Sequence, residues 1–289
     1  MLLVYRENYW NSAAAKAAYI DFLTQMFNLD LIRWDQSGYW DSNYRPFSYF
    51  SDDRLVSNVC VYSLDMVVLG KRCRAAQISA VGTVTDFRRQ GLGQELTQRA
   101  LVWARDRHDF FFLFADEDAF GFYKSNGFRQ ALEYTPRIAV SGASPVPGAV
   151  ALDMQDEHHR ALAHDLAVRR DSVSDRLGVL NDKLFMFWCL YRREFRILHI
   201  PQLDTLVLCR RDGDVLTISD IVSPKVPMFA DIYPFISDPR DRFVKFMFMS
   251  DKLGLKEVEL IETNDHGLHL LGDFPPEGTS FIFPQTCHA

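Results

Sequence analysis

No two of the five cysteines (Cys60, Cys73, Cys189, Cys209 and Cys287) stand at C-x-x-C spacing. An odd, scattered set argues against a disulfide framework and a zinc site, so no metal is expected and a reducing cytoplasm is the default setting. Long apolar runs are also missing. The longest, LFMFWCLY (Leu184 to Tyr191), falls far short of the roughly 20 residues of a membrane span, and MLLVYRENYW is too short in apolar character for a signal peptide. Basic excess is absent too: the formal charge is −6 and the pI about 5.8, which speaks against nucleic acid as the main partner. No Gly-x-x-x-x-Gly-Lys-Ser/Thr string occurs, which removes the P-loop, and Leu96 stands where a dinucleotide fingerprint needs its third glycine.

What is present is apolar and aromatic. The 289 residues are 48% hydrophobic and include 23 phenylalanines, enough for large packed interiors and, by length, about two domains. The stretch SGASPVPG, Ser141 to Gly148, with small residues and two prolines, reads as a linker. It separates a domain over 1–140 from one over 149–289.

In the first half, MLLVY predicts a strand and the apolar spacing between Ser12 and Asn28 a helix. A helix or irregular stretch follows to Tyr44. Residues 54–84 predict successive antiparallel strands turning at Gly70, then a helix from Gly91 to about Arg107. DFFFLFA predicts a buried strand, and DAFGFYKSN a short helix ended by Gly127. In the second half, helices are expected over Asp156–Arg170, Asn181–Tyr191 and Phe243–Leu253. TLVLCRRDGDVLTISDIV predicts a hairpin, and VELIE and SFIFP predict strands. The order resembles the first half without any residue-level repeat.

The chemistry concentrates in VTDFRRQGLGQELTQRA, Val84 to Ala100. A strand feeds a short loop and then a helix whose first N–H groups lack intrahelical partners, where the helix dipole adds partial positive charge. Gly91 and Gly93 remove Cβ atoms and so admit an anion to the backbone, with Arg88 and Arg89 beside it. Charge-assisted hydrogen bonds contribute about 1.5–3 kcal/mol each, so several together can hold a pyrophosphate. Taken alone, the loop reads equally well as a basic turn at a helix start.

Arg88-Arg89-Gln90-Gly91-Leu92-Gly93 resembles the Gln/Arg-x-x-Gly-x-Gly/Ala signature of the GNAT acetyltransferase superfamily. LFADEDAFGFYKSNGF, about 30 residues on, resembles that family's second acyl-CoA motif through Phe122-Tyr123 and Gly127-Phe128. The resemblance covers roughly residues 1–138. It implies an α/β (α+β) GNAT fold with a mixed, mostly antiparallel sheet, with residues 149–289 as a second α+β domain or a degenerate tandem copy.

The resemblance also implies acetyl-CoA as cosubstrate, lying between the strand that ends at Thr83-Val84 and the strand Phe110–Phe114. Its pyrophosphate would rest on Arg88, Arg89, Gln90, Gly91, Leu92, Gly93 and Gln94, and its pantetheine arm on the backbone of Val81, Gly82 and Thr83. A deprotonated primary amine of a small molecule or a peptide would attack directly, with Tyr123 protonating the departing thiolate. A monomer or homodimer acting without membrane or nucleic acid completes that expectation.

The family pattern is not matched throughout. Gln77 stands where relatives carry a catalytic glutamate, and an amide is no general base at neutral pH. Asp116 stands where many carry an asparagine that bonds the CoA arm, and the second half has no Arg-x-x-Gly-x-Gly. These departures leave two rivals, a non-catalytic acyl-CoA-binding regulatory module and a tandem aminoacyl transferase using charged tRNA; the intact phosphate loop counts against the second. Other polar groups have plainer readings: His266 and His269 as structural residues on a turn, Asp156, Glu157, His158, His159 and His164 as a solvated helix start, Asp116, Glu117 and Asp118 as an acidic loop, and Cys60 and Cys73 as buried small side chains. The aromatic series Trp34, Tyr39, Trp40, Tyr44, Phe47 and Tyr49 is expected to pack, or to wall the acceptor site.

Overall fold

The computed structural model describes residues 2–191, 194–263, 267–275 and 278–288. In chain order the first half runs β1 (Leu3–Glu7), α1 (Ala13–Phe27), α2 (Ile32–Gln36), β2 (Tyr44–Ser51), β3 (Arg54–Val68), β4 (Lys71–Thr83), α3 (Leu92–Ala104), β5 (Phe110–Phe114), α4 (Phe120–Ser125), β6 (Arg129–Gln130) and β7 (Tyr134–Ala139). The second half runs β8 (Val150–Ala151), α5 (Glu157–Val168), β9 (Leu177–Val179), α6 (Asp182–Tyr191), β10 (Arg196–Ile200), β11 (Thr205–Asp212), β12 (Val215–Val222), α7 (Phe229–Ile236), β13 (Phe243–Phe246), β14 (Glu259–Glu262) and β15 (Leu268–Leu271).

Local signals explain most of these elements. Ser12 caps α1, its Oγ accepting from the Ala15 amide at 3.3 Å, and Asn28 closes the helix in the left-handed region. Leu69 and Gly70 both take positive φ (48° and 75°), the geometry a two-residue hairpin needs between β3 and β4. Asp156 caps α5, its carboxylate accepting from the backbone amides of His158 and His159, which accounts for the aspartate at that helix start.

The strands form two mixed sheets, each antiparallel except for one parallel pair, β4 with β5 and β12 with β13. The first sheet has the order β1-β2-β3-β4-β5-β15-β6, with β9 paired to β3, and the second β8-β10-β11-β12-β13-β7-β14. Position by position the two orders correspond: hairpin, helix, a parallel strand, then an antiparallel neighbour beyond it. In each sheet that neighbour comes from the other half of the chain. β15 lies against β5, Leu268 opposite Phe114, and β7 lies against β13, Ala139 opposite Phe243. The sheets are therefore tied together by reciprocal strand exchange.

Two expected elements change. Phe243–Leu253 is not a helix: residues 243–246 form β13, with Val244, Phe246 and Phe248 alternately buried, the period of a strand. Residues 280–284, expected as a strand, join no sheet; the Phe281 carbonyl accepts from the Tyr134 amide and the Phe283 amide donates to Glu133. Up to Tyr44 the chain is short helix α2 and irregular backbone, as expected, and Tyr44–Ser51 then forms an eight-residue strand. Its aromatics pack, as do those of the preceding segment: Trp34, Tyr39, Tyr44 and Phe47 are buried, while Trp40 and Tyr49 are half-buried. All five cysteines are free; Cys60 is buried, but Cys73 is only half-buried. Among the described residues no helix is long and apolar enough to cross a membrane.

A buried ion pair anchors the last segment of the described chain. The Arg170 guanidinium donates to both oxygens of Asp220 (2.8 and 3.1 Å), and Asp220 also accepts from the Thr286 hydroxyl at 2.6 Å. Both charges are shielded from water, Asp220 completely. Asp220→Ala leaves Arg170 uncompensated, and a loss of about 3–5 kcal/mol in unfolding free energy is expected, read from urea denaturation.

Candidate active site

The site begins where β4 and β5 part. Their parallel pairing covers Ala75 with Phe110, Ala76 with Phe111 and Gln77 with Phe112, and stops there, although β4 continues to Thr83 and β5 to Phe114. The facing edges of Ile78–Thr83 and Leu113–Phe114 diverge and open a cavity of about 330 Å³. It is lined by residues 77–81 of β4, by Phe114 to Asp116, Ala119 and Tyr123, by Leu23, Phe27, Leu29 and Tyr44, and by His288.

A bulge shapes this edge. The β3–β4 register slips between Asn58 and Cys60, and Ala80 takes φ +49°, a conformation rare for a residue with a Cβ. Asn58 holds it: its Nδ2 donates to the Ala80 carbonyl at 2.8 Å, its Oδ1 accepts from Ser48 Oγ, and Ser48 meets the Tyr9 hydroxyl. These groups are buried, so each hydrogen bond replaces one that water would otherwise supply. The residues expected to carry a pantetheine arm, Val81, Gly82 and Thr83, follow the bulge directly and are half-buried. At Gly82 a Cβ would meet Phe27, Phe22 and Met26 of α1 at 3.1–3.3 Å, so the glycine lets α1 cross over the strand.

The loop after β4 has the shape an anion site requires. Gly91 is the N-cap of α3 at φ +80°, and no side chain caps the helix. A Cβ added at Gly91 would have no heavy atom within 4 Å, so the approach is open and the glycine answers a backbone requirement. Arg89 also takes positive φ, 60°. Arg88, Arg89, Gln90, Gly91 and Gln94 are exposed, Gly93 is half-buried, and Leu92 turns into the core. Arg88 bends back so that Nε donates to the Thr83 carbonyl at 3.0 Å, coupling the loop to the strand end. Gln94 exchanges two hydrogen bonds with Asn126, which ties α3 to the segment after α4.

Tyr123 is buried on α4 and faces the cavity. Burial, with a smaller contribution from the nearby Asp116 carboxylate, pushes its pKa up to about 12, so the phenol stays protonated well beyond neutrality. Gln77 is buried at the cavity base. Asp116 reaches the cavity rim, and Asp116, Glu117 and Asp118 are solvent-exposed.

The far side of the cleft is aromatic and is built partly by the second half. Leu29 and Tyr44 also line a small apolar recess with Leu31, Trp34, Tyr62, Leu184 and Phe187, the last two from α6. Trp34 Nε1 donates to the Lys183 carbonyl, and Arg33 donates to the carbonyls of Met154 and Leu190, fastening α2 to that half. His288, which no sequence pattern singles out, reaches the cavity through residues 283–288. Of the other candidates, His269 is buried in β15 with Nδ1 against the Gly267 carbonyl, His266 lies outside the described residues, and His164 pairs with Asp182 at 2.7 Å.

Residues 22–131 match the family model described as an acetyltransferase (GNAT) domain. No curated protein matches the chain. Among solved structures, a conserved protein of unknown function from Enterococcus faecalis V583, described as a probable N-acyltransferase, aligns at TM-score 0.60 and 13% identity over 93% of this chain and 72% of its own. A GCN5-related N-acetyltransferase from Anabaena variabilis aligns at TM-score 0.58 and 15% identity, covering 92% of this chain and 72% of that one. A putative acetyltransferase from Pyrococcus horikoshii aligns at TM-score 0.50 and 15% identity over 98% and 95%. The shared fold thus extends across both halves.

Because Asn58 alone bridges Ser48 and the Ala80 carbonyl, Asn58→Ala is expected to cost about 1–3 kcal/mol, the range for buried polar groups left unsatisfied. Chemical denaturation measures it, and wild-type stability in the variant would show that the bulge holds without this bond.

Proposed function

We propose, from the premise that residues 22–131 carry a GNAT acetyltransferase domain, that the protein transfers an acetyl group from acetyl-CoA to a primary amine of a small molecule or peptide. The observation that carries this reading is the junction of two features. An uncapped helix start with an open glycine cradle stands beside a strand edge that has lost its neighbour. The first is suited to a pyrophosphate and the second to an amide-bearing arm that pairs as an added strand.

In this reading the amides of Arg89 to Gln94 and the Arg89 side chain hold the pyrophosphate. The backbone of Val81, Gly82 and Thr83 orients the arm, and an amide of this stretch polarises the acyl carbonyl. The bound cosubstrate supplies an activated acyl group. Tyr123 then donates its proton to the departing sulfur. Between a phenol near pKa 12 and a thiol of about 8.5 the transfer is uphill, so it must accompany bond cleavage. The acceptor enters past the acidic rim of Asp116 to Asp118, toward the apolar wall of Leu23, Phe27, Leu29 and Tyr44, a setting suited to a cationic amine with an apolar body. The second half contributes His288 to the cavity wall and carries no second cradle, since no Arg-x-x-Gly-x-Gly follows β12.

Arg89→Glu and Gly91→Asp each place negative charge in the cradle and are expected to weaken acetyl-CoA binding at least tenfold by calorimetry, with the fold retained. Unchanged affinity in both would remove the cofactor assignment. Tyr123→Phe is expected to lower kcat by about 10²–10⁴ with little change in acetyl-CoA affinity, the range for a lost general acid. Steady-state kinetics on a panel of amines measures this. Firm acetyl-CoA binding without turnover on any amine would instead favour a non-catalytic acyl-CoA-binding module.

A further inference from the structure

Direct attack by an amine needs a group to accept its proton, and Gln77 at the base of the cavity is an amide. We infer that His288 is the general base: its imidazole, presented to the cleft by a segment locked to the second half, takes the proton of the acceptor ammonium. This inference rests on the acetyl-transfer reading of the site.

The placement is built from several independent contacts. His288 lines the same cavity as Gln77, Tyr123 and Asp116. Its ring stacks on Phe114, centroids 3.7 Å apart and planes 24° from parallel, at the end of β5 where the strands have diverged. The Trp188 ring of α6 stands edge-on at 6.3 Å, and Trp188 Nε1 donates to the His288 carbonyl at 3.0 Å. Upstream, the Gln285 amide donates to the Met247 carbonyl, Thr286 Oγ1 to Asp220 and the Phe283 amide to Glu133. Four anchors on β12, α6 and their neighbours thus aim one imidazole into the first-half cleft.

The titratable groups sharing this cavity are Asp116 after β5, Tyr123 on α4 and Tyr44 on β2, whose phenol burial keeps protonated. Behind it, Glu133 and Asp220 hold the anchoring segment, Cys287 lies within that segment, and Cys189 lies on α6. Burial keeps both thiols and the Tyr123 phenol protonated near neutrality. Glu133 and Asp220 are engaged in the hydrogen bonds named above, and Asp116 is exposed at the rim. Among the side chains at this wall an imidazole is the one whose chemistry allows it both to take and to release a proton.

The balance closes. The ammonium gives its first proton to His288, which releases it to solvent. The neutral nitrogen forms the C–N bond to the acyl carbon as the C–S bond breaks. The sulfur takes its proton from Tyr123, and the nitrogen's second proton replaces the one Tyr123 gave. One amide, one thiol and one proton result.

The test uses the full chain with H288Q, H288F and T286V. In the wild type kcat/KM is expected to rise through the imidazole titration and level off. In H288Q and H288F that limb vanishes, the rate at pH 7 falls by about 10²–10⁴, and raising the pH recovers part of it as the amine deprotonates itself. Acetyl-CoA affinity stays unchanged. T286V, which only loosens the anchor, keeps the limb with a smaller loss in kcat. Independently of turnover, the His288 ring resonances, assigned by their absence in H288F, are expected to shift when acetyl-CoA is added. Resonances unmoved by acetyl-CoA, or an H288F enzyme with full rate and an unaltered pH profile, overturn the inference. A wild type whose His288 responds to acetyl-CoA but which acetylates no amine contradicts the proposed function and leaves the placement of His288 standing.

Discussion

Two parallel strands that stay paired for three residues and then separate leave a row of backbone amides and carbonyls with no ladder partner. Burying such groups unsatisfied is costly, so the divergence of β4 and β5 persists only if something else holds it. Several devices do. The bulge at Ala80, fixed by Asn58, turns β4 away; α1 crosses over Gly82; and Arg88 folds back on the Thr83 carbonyl. On the other side β5 is pinned by β15, whose Leu268 stands opposite Phe114. The cleft is thus a maintained gap, and the proposed cosubstrate would satisfy the edge that the protein leaves open.

The strand that pins β5 belongs to the second half, and this gives that half a role in the site without a cradle of its own. β15 fills in the first sheet the position β7 fills in the second, so neither sheet is complete without the other half's strand. The same half supplies His288 to the cleft, and Leu184 and Phe187 to the apolar recess that shares Leu29 and Tyr44 with it. In the proposed reading the first half binds the acyl donor and the second shapes and activates the acceptor.

How much of this could be read from the sequence depends on whether the determining contacts are local. The Gly70 turn, the Ser12 and Asp156 caps, and the glycine-opened start of α3 follow from a few adjacent residues, and they stand where the pattern puts them. Where both strand and helix periods are saturated with apolar residues, as in FVKFMFM, periodicity does not discriminate, and pairing with β12 and β7 decides for a strand. The four residues of β15 carry no signal of their own, since their partner lies more than 150 positions earlier. His288 was illegible for the same reason. An isolated histidine gains meaning only through the anchors that carry it across the molecule.

Hydrogen–deuterium exchange with and without acetyl-CoA tests the central claim most directly, because the claim concerns specific amides. Protection is expected at residues 81–83 and 89–94, with the loop and the strand edge slowing together and the second half changing only around His288. Binding without protection in either stretch, or protection centred elsewhere, would contradict the account.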